Sequence, residues 1–236
     1  MLNKDLHKVA LINVLNAIYS DSQIRTLLGF KGGTAAFLFY DLPRFSVDLD
    51  FDLLDENKKE LVFERLKKIL SKVGKISQAQ DKYFTIFFLI NYQKSERNLK
   101  VEISKRSSTK AKYQVKNYLG IHMLVMKKED AVAGKLAALI TRKKFTTRDM
   151  FDMWFFLKEN FSINEEFLKE KTNLTLNQAL NKALKRIKDI KKTELLAGLG
   201  ELLDNKQKTF VKEKLVDELT FQLKLRQSLE KKNMNE

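Results

Sequence analysis

The chain has 236 residues, of which 32% are charged and 44% hydrophobic, a composition typical of globular rather than disordered proteins. It contains no cysteine, which excludes disulfides and thiolate metal sites. No apolar run reaches the roughly 18 residues that a membrane helix needs. The net charge of +15 favours nucleic acid or an acidic partner, although a lysine-rich composition that serves only solubility gives the same charge.

The first half of the chain mixes predicted helices and strands. The predicted helices are residues 5–19, 34–40 and 57–73, and the predicted strands are a hairpin over 75–92 followed by 98–104 and 121–126. The first of these segments has the pattern of an amphipathic helix and lacks the cleavage site of a signal peptide. The cytoplasm is therefore the expected compartment, with no membrane partner.

From residue 129 onward, the strand signals stop. Helical periodicity continues over residues 129–141, 147–159, 176–190, 193–204 and 207–232. We therefore expect an α/β (α+β) protein with a small mixed-sheet lobe over residues 1–125, followed by an all-helical lobe over residues 126–236. The helical lobe is expected to complete the active-site cleft.

The most informative stretch runs from Ser46 to Asp52, where carboxylates alternate with apolar residues. Period-two alternation predicts a half-buried strand with Asp48, Asp50 and Asp52 on one face. Three like charges on one face repel each other, so we expect a cation there, and carboxylate oxygens suit Mg²⁺. Two carboxylates two residues apart are typical of sites that hold two divalent ions about 3.5–4 Å apart. A cap or an ordinary surface strand is the alternative.

A third acidic ligand would have to come from a neighbouring strand. Glu102 is the acidic residue that lies within a strand-like alternation between positions 82 and 120. The alternative is an exposed strand residue paired with Lys100 or with a lysine across the strand.

Gly32 and Gly33 precede a predicted helix and stand shortly before the carboxylate strand. Glycines at a helix start let backbone amides approach a phosphate, although a plain turn is the usual interpretation of Gly-Gly alone. Ser46 shares the face of Asp48, which leaves phosphate binding and turn capping both open. Arg44 likewise either contacts phosphate or is an ordinary surface charge.

The helical half contains a lysine among small residues. Lys135 lies between alanines and a glycine, where an ammonium must reach water or an anion. Arg142 lies seven residues further along and hence on nearly the same helix face. Asp149 and Asp152 follow, and Arg148 is spaced to pair with Asp152. The alternative for Lys135 is a lysine that extends along the surface to water.

Four motifs together resemble the AbiEii/AbiGii toxin family of nucleotidyltransferases, in the DNA polymerase beta-like superfamily. The motifs are KGGTA (31–35), RFSVDLDF (44–51), GKLAAL (134–139) and TRDMFDMWFF (147–156). They occur in the family's order and span about half the chain. The combination is specific, whereas each motif is weak alone.

The resemblance implies a role for each of the matching residues. Candidates for catalysis are Asp48, Asp50, Lys135, Asp149 and Asp152, with either of the last two as the late catalytic aspartate. The nucleotide-phosphate motif of the family would contain Gly32, Gly33 and Ser46, and further candidates for nucleotide binding, beyond this carry-over, are Lys31, Thr34, Arg44, Arg142 and Arg148. Candidate metal ligands are Asp48, Asp50 and Glu102, the last in a place where the superfamily often has aspartate.

The activity implied by the resemblance is magnesium-dependent transfer of a nucleoside monophosphate from an NTP to an acceptor. In characterised relatives the acceptor is tRNA, and the enzyme is the toxin of a bacterial toxin–antitoxin pair, so an antitoxin protein is an expected partner. The charge of +15 fits an RNA acceptor independently. The rival interpretations are a non-catalytic protein that binds nucleic acid or antitoxin, and a transferase that modifies protein.

Overall fold

A computed structural model describes residues 2–106, 108–143, 145–190 and 192–233. The chain divides into two compact units, Met1–Lys127 and Lys128–Glu236. The first unit combines helices with a seven-stranded mixed sheet, and the described residues of the second form helices and no strand. The expected α/β (α+β) class is therefore confirmed. No helix within the described ranges is long and apolar enough to cross a membrane.

Within the first unit, the part of the chain that the structure describes forms three α-helices and the seven strands of the sheet. Its helices are α1 (Lys4–Tyr19), α2 (Gly32–Phe39) and α3 (Lys59–Val73). Its strands are β1 (Leu28–Lys31), β2 (Asp48–Leu53), β3 (Lys75–Asp81), β4 (Thr85–Asn91), β5 (Leu99–Ser104), β6 (Tyr113–Tyr118) and β7 (Ile121–Met126). The sheet has the order β3-β4-β5-β2-β1-β7-β6.

Strand β2 lies at the centre of this sheet, parallel to β5 and antiparallel to β1. Its odd-numbered residues, such as Leu49 and Phe51, are fully buried on the core face. Helix α1 covers that face through a ring contact between Tyr19 and Phe51, and α3 covers it through Phe63 stacked on Phe88 of β4. The side chains of Asp48 and Asp50 must then point to the opposite face.

His7 ties helix α1 to the chain just before β2. Its ring is buried, with Nε2 2.9 Å from the carbonyl oxygen of Val47 and Nδ1 2.9 Å from the hydroxyl of Tyr92. Because a carbonyl only accepts, Nε2 carries the proton and the tyrosine hydroxyl donates to Nδ1. Burial lowers the pKa of His7 below its usual value, although the hydrogen bond to Val47 opposes that shift. A neutral histidine thus holds the backbone that leads to Asp48.

The described residues of the second unit form six α-helices and two 3₁₀ turns. The helices are α4 (Lys128–Thr141), α5 (Thr147–Lys158), α6 (Glu165–Thr172), α7 (Leu176–Lys188), α8 (Asn205–Glu213) and α9 (Leu215–Asn233). Capping boxes start α7, with Thr175 and Gln178, and α8, with Asp204 and Gln207. These paired caps satisfy the first amide groups of both helices.

Two helix predictions in the C-terminal part are wrong. Residues 193–204 form 3₁₀ turns (Lys192–Glu194 and Gly200–Leu202) because Gly198 takes a left-handed φ of +66° between them. The helix predicted over 207–232 is interrupted at Lys214, which is the C-cap of α8.

The sequence pattern did not reveal β1, β6 or α6. Strand β1 is too short to show a period. Strand β6 is an edge strand with Val115 largely exposed, so its apolar periodicity is weak. Helix α6 buries only Phe167 and Leu168.

The titration of His7 leads to a pH-dependent stability. The unfolded chain binds a proton at the usual histidine pKa of 6.5, whereas folded His7 binds it only at lower pH. Between these two pKa values, the unfolded state holds more protons than the native state. Lowering the pH through this range therefore stabilises the unfolded state relative to the native state. The contribution of His7 to the free energy of unfolding should be complete above pH 6.5 and should decrease as the pH falls below that value.

We expect the melting temperature of the wild-type protein to fall more steeply than that of a His7→Gln variant between about pH 7.5 and 5.5. Exposed His122 provides the control, since a His122→Gln variant should keep the wild-type slope. Equal slopes for the wild-type and His7→Gln proteins would contradict this assignment.

Candidate active site

The polar face of β2 places two carboxylates beside a lysine and a glutamate of β5. In the parallel register, Asp48 lies opposite Lys100 and Asp50 opposite Glu102. The Nζ of Lys100 is 3.3 Å from Oδ2 of Asp48 and 3.1 Å from Oε2 of Glu102. The ammonium therefore sits between two carboxylates of neighbouring strands.

The electrostatic balance of this cluster is visible in two pKa shifts. Burial raises the pKa of Asp50, and the negative charges of Asp48 and Glu102 raise it further, against the opposing effect of Lys100. Burial lowers the pKa of Lys100, but the surrounding carboxylates outweigh this effect and raise it overall. The face thus has an excess of negative charge that stabilises cations.

Asp52, the third carboxylate of the strand, has its own partners. Its Oδ1 is 2.5 Å from Nζ of Lys31, and its Oδ2 accepts a 2.6 Å hydrogen bond from the hydroxyl of Tyr113. Lys31, expected at the nucleotide, is therefore engaged in an ion pair with Asp52.

The donor chemistry fits magnesium in part. Mg²⁺ is usually bound through one or two carboxylates together with substrate phosphates, and Asp48 and Asp50 supply two carboxylates on one strand face. Among the described residues, no three acidic, histidine or cysteine side chains lie close enough together to enclose a metal ion. Glu102 is occupied with Lys100, so its role as a third ligand stays a prediction.

The two glycines lie directly against this face. Gly32 has a φ of +81°, and a Cβ there would overlap Oδ2 of Asp50. A Cβ on Gly33 would lie 2.9 Å from Oγ of Ser46 and 3.0 Å from a guanidinium nitrogen of Arg44. Only glycine therefore fits at either position without displacing a neighbour.

Helix α2 begins at these glycines without a side-chain cap. Its N-cap residue, Lys31, makes no capping hydrogen bond, so no N-cap side chain satisfies the first amides of the helix. Thr34 in the first turn donates to the carbonyl oxygen of Asp48 at 2.5 Å and contacts Oγ of Ser46 at 2.9 Å. The structure thus brings Gly33, Thr34, Arg44 and Ser46 together beside Asp48.

The second unit contains a separate charged cluster. Lys135 of α4 lies 2.6 Å from Oδ2 of Asp152 and 3.5 Å from Oδ1 of Asp149, both on α5. Arg142 and Thr146 also contact Asp149, at 2.7 Å and 2.6 Å. The two aspartates are only 0–2% exposed, so the cations neutralise buried carboxylates. Lys135 is thus ion-paired rather than extended to water.

Arg148 lines a groove of about 790 Å³ in the same unit. The groove wall also contains Thr146, Phe145 and Arg186. The guanidinium of Arg186 lies over the ring of Phe145, with 5.5 Å between the guanidinium carbon and the ring centre, and donates to the carbonyl oxygen of Arg142 at 2.7 Å. The groove is therefore adjacent to the cluster around Asp149.

Three residues that contact the charged groups of these sites were not predicted as site residues from the sequence. Lys100 was considered only as a partner for Glu102, although its place in the alternation of β5 sets it on the same face. Tyr113 lies on the unpredicted strand β6, and Thr146 lies just before α5. No short motif marks either of these contacts.

Comparisons with known proteins give a family and two similar structures. A family model described as nucleotidyl transferase AbiEii toxin, type IV toxin–antitoxin system, matches residues 13–228. The crystal structure of JHP933 from Helicobacter pylori superimposes with a TM-score of 0.63 and 22% identity, covering 100% of this chain and 97% of that one. A Helicobacter pylori protein assigned as a nucleotidyltransferase gives 0.62 and 23%, with 98% of each chain covered. The search of curated proteins found no match.

The cluster around Lys135 predicts a large effect on stability. A Lys135→Met variant keeps the aliphatic stem but leaves two buried carboxylates without their nearest ammonium. We expect it to lower the free energy of unfolding by about 3 kcal/mol, as for other broken buried ion pairs. Urea denaturation of the purified variant measures the loss.

Two further variants test whether the loss comes from the buried charges. Adding Asp152→Asn to Lys135→Met should restore part of the stability, because it removes one uncompensated carboxylate. Lys182→Met, at an exposed position of α7, should change little. A loss for Lys135→Met no larger than for this control would contradict the assignment.

Proposed function

We propose that this chain, which belongs to the AbiEii family of nucleotidyltransferase toxins of type IV toxin–antitoxin systems, transfers a nucleoside monophosphate from an NTP to a hydroxyl of tRNA with the help of Mg²⁺. Family membership makes the chain a nucleotidyltransferase of a toxin–antitoxin system. The metal, the RNA acceptor and the residue roles that follow are our inference.

The observation that carries the proposal is the acidic face of β2. Asp48 and Asp50 lie beside Glu102 with excess negative charge, which the ammonium of Lys100 offsets in part between the two strands. Such a face costs stability unless it binds cations, which points to a functional use. We assign Asp48 and Asp50 as the magnesium ligands and keep Glu102 as a proposed third ligand.

The neighbouring helix start supplies a place for the triphosphate. The first amides of α2 carry the positive end of the helix dipole, and Gly33 leaves no Cβ between them and an approaching phosphate. The guanidinium of Arg44 adds positive charge beside Gly33, and the hydroxyl of Ser46 offers a hydrogen bond. The hydroxyl of Thr34 donates to the carbonyl oxygen of Asp48, so Thr34 offers its backbone amide in the first turn of α2. We propose that these residues, with Gly32 and Lys31, bind the nucleotide phosphates.

The reaction needs positioning and charge stabilisation more than covalent chemistry by the protein. The acceptor oxygen attacks the α-phosphorus, the bond from that phosphorus to the bridging oxygen breaks, and pyrophosphate leaves while the hydroxyl proton is released. Bound magnesium would stabilise the charge that develops on the α-phosphate and favour ionisation of the hydroxyl. In the proposed complex, Gly33 and Arg44 would bind the leaving phosphates.

We propose a role in substrate binding for cations of the helical unit. Lys135 is held by Asp149 and Asp152, so we propose that Lys135 binds substrate phosphate and that both aspartates act as positioning residues. Arg142 contacts Asp149, and Arg148 lines the nearby groove, whose volume is that of a ligand pocket. We propose that both arginines bind phosphate as well.

The charge of the chain supports RNA as the acceptor. An excess of 15 positive charges favours a polyanion, because neutralising phosphates with Lys and Arg releases counterions. A tRNA acceptor and NTP substrates also agree with a cytoplasmic location, which we propose on that ground. We propose that a cognate antitoxin protein is the partner that the family context suggests.

An Asp48→Ala variant should lose nucleotide transfer but keep its fold. Removing this carboxylate takes away a proposed metal ligand, and it also relieves the repulsion that raises the pKa of Asp50. The assay offers labelled NTPs, one base at a time, with total tRNA and magnesium. We expect label on RNA with the wild-type protein and none with the variant, while the melting temperature stays close to wild type.

A control variant and the possible outcomes decide how the assay is interpreted. Glu64→Gln, at an exposed position of α3, should retain full transfer. Transfer by Asp48→Ala, or its failure to fold, would refute the catalytic assignment. Label on protein instead of RNA would replace tRNA as the acceptor. A folded wild-type sample that labels neither would argue against the reaction.

Lys100 should compete with magnesium for the same carboxylates. Without metal, a Lys100→Met variant should melt at a lower temperature, because Asp48 and Glu102 lose their shared cation. Added Mg²⁺ should then raise its melting temperature more than it raises that of the wild-type protein.

Lys105→Met is the matched control, since Lys105 pairs at 2.6 Å with Asp81, on a strand outside the acidic face. Its response to magnesium should equal the wild-type response. Equal magnesium shifts for Lys100→Met and wild type would show that this lysine does not occupy a metal position.

A further inference from the structure

The turn between β3 and β4 presents two aromatic side chains to solvent. Tyr83 is 86% exposed and Phe84 50% exposed, and their rings meet edge to face with 4.5 Å between centres. Turns of two residues favour Gly, Asn or Asp, so the geometry of the hairpin gives no reason for aromatic residues here. Exposed rings that the fold does not require indicate a binding surface.

The backbone of this turn is held from both sides. Lys82 and Thr85 exchange backbone hydrogen bonds of 2.9 Å and 3.4 Å across it, and the amide of Lys105 donates to the carbonyl oxygen of Phe84 at 2.9 Å. The side chain of Lys105 also pairs with Asp81. The two rings therefore project from a fixed base, which lowers the entropy lost when a partner binds.

Positive charges lie close to this turn. The guanidinium of Arg106 lies 4.5 Å from the ring centre of Phe84, and the ammonium of Lys82 lies 4.4 Å from that of Phe87 on β4. Residues 94–116, which include β5, contain eight basic and two acidic residues. Aromatic rings among cations are the combination that binds unpaired nucleotides, because the rings stack on bases and the cations bind phosphates.

The strand register links the turn to the acidic face. Phe87 lies opposite Glu102, and Glu102 lies opposite Asp50, so the three side chains form one row across β4, β5 and β2. Two strand spacings separate β4 from β2, about 10 Å. A strand of nucleic acid that stacks at the turn would need only a few nucleotides to reach Asp50.

We propose that Tyr83 and Phe84, with Lys82 and Arg106, form a stacking platform that binds unpaired nucleotides of the RNA acceptor. The proposal rests on the proposed function, since it makes this RNA the molecule that receives the nucleotide. Unpaired RNA suits the surface better than a duplex, because only unstacked bases offer their faces to aromatic rings.

The test measures binding separately from catalysis. A fluorescently labelled, unstructured RNA oligonucleotide is titrated with protein, and its anisotropy is followed without NTP or magnesium. The double variant Tyr83→Leu/Phe84→Leu should bind about tenfold more weakly, because it keeps apolar bulk but removes both stacking faces. The exchange variant Tyr83→Phe/Phe84→Tyr keeps two rings and should bind as the wild-type protein does.

Two controls separate the platform from other causes. Leu119→Ala removes another exposed apolar side chain of the same unit and should leave RNA binding unchanged. Asp48→Ala should bind RNA normally while losing transfer, so a failure of the proposed reaction would leave platform-dependent binding visible. Melting curves show whether each variant is folded.

Unchanged RNA affinity in the folded leucine variant would overturn the proposal and leave the rings to a protein partner. Equal weakening by Leu119→Ala, or by the exchange variant, would also overturn it, since neither removes a ring. A loss confined to the leucine variant supports stacking.

Discussion

Repulsion among carboxylates on one strand face is the constraint on which the first unit depends. Asp48, Asp50 and Asp52 alternate with core residues of β2, so burying the core side of the strand forces all three onto the other side. Positive groups on neighbouring elements offset these negative charges. They are Lys100 of β5, Lys31 of β1 and the N-terminus of helix α2. The strand order brings these groups together, since β5 and β1 are the two neighbours of β2. The topology of the sheet therefore serves electrostatics as much as packing.

The acidic face of β2 and the cluster around Lys135 differ in how far their carboxylates are neutralised. Asp149 and Asp152 are buried and neutralised by Lys135 and Arg142 within their own unit, so neither carboxylate is left as an uncompensated buried charge. On the acidic face of β2, the side chains of Asp48 and Glu102 keep part of their surface exposed, and the described carboxylates outnumber the lysines paired with them, so the face can still gain a cation from solution. Binding energy that the protein leaves unused in its ground state is available for substrate and transition state. We therefore place metal chemistry on β2 and assign positioning roles to the aspartates of α5.

The sequence predicted the parts that have a strong period or a dense motif. The alternation at Asp48 predicted strand β2, and the lysine among alanines predicted that Lys135 reaches water or an anion, which proves to be Asp149 and Asp152. Partners from distant or weakly patterned segments were not predictable, because a strand register decides them. Lys100 reaches Asp48 only through the pairing of β5 with β2, and Tyr113 reaches Asp52 from an edge strand without apolar periodicity. Around Gly198 the sequence predicted too much regular structure. The composition there is typical of a helix, but Gly198 takes a left-handed conformation.

The backbone beside the acidic face is fixed more firmly than the sheet alone requires. His7 of α1 binds the carbonyl oxygen of Val47, and Thr34 of α2 binds that of Asp48, so two helices hold consecutive peptide groups. Carboxylates that repel each other would otherwise move apart and lose the geometry that a small ion such as Mg²⁺ demands. Because the backbone is fixed before an ion binds, the free energy needed to hold the repelling carboxylates together is supplied when the core around Leu49 and Phe51 folds. A buried histidine thereby contributes to the site, because it holds the backbone that leads into the strand of the carboxylates.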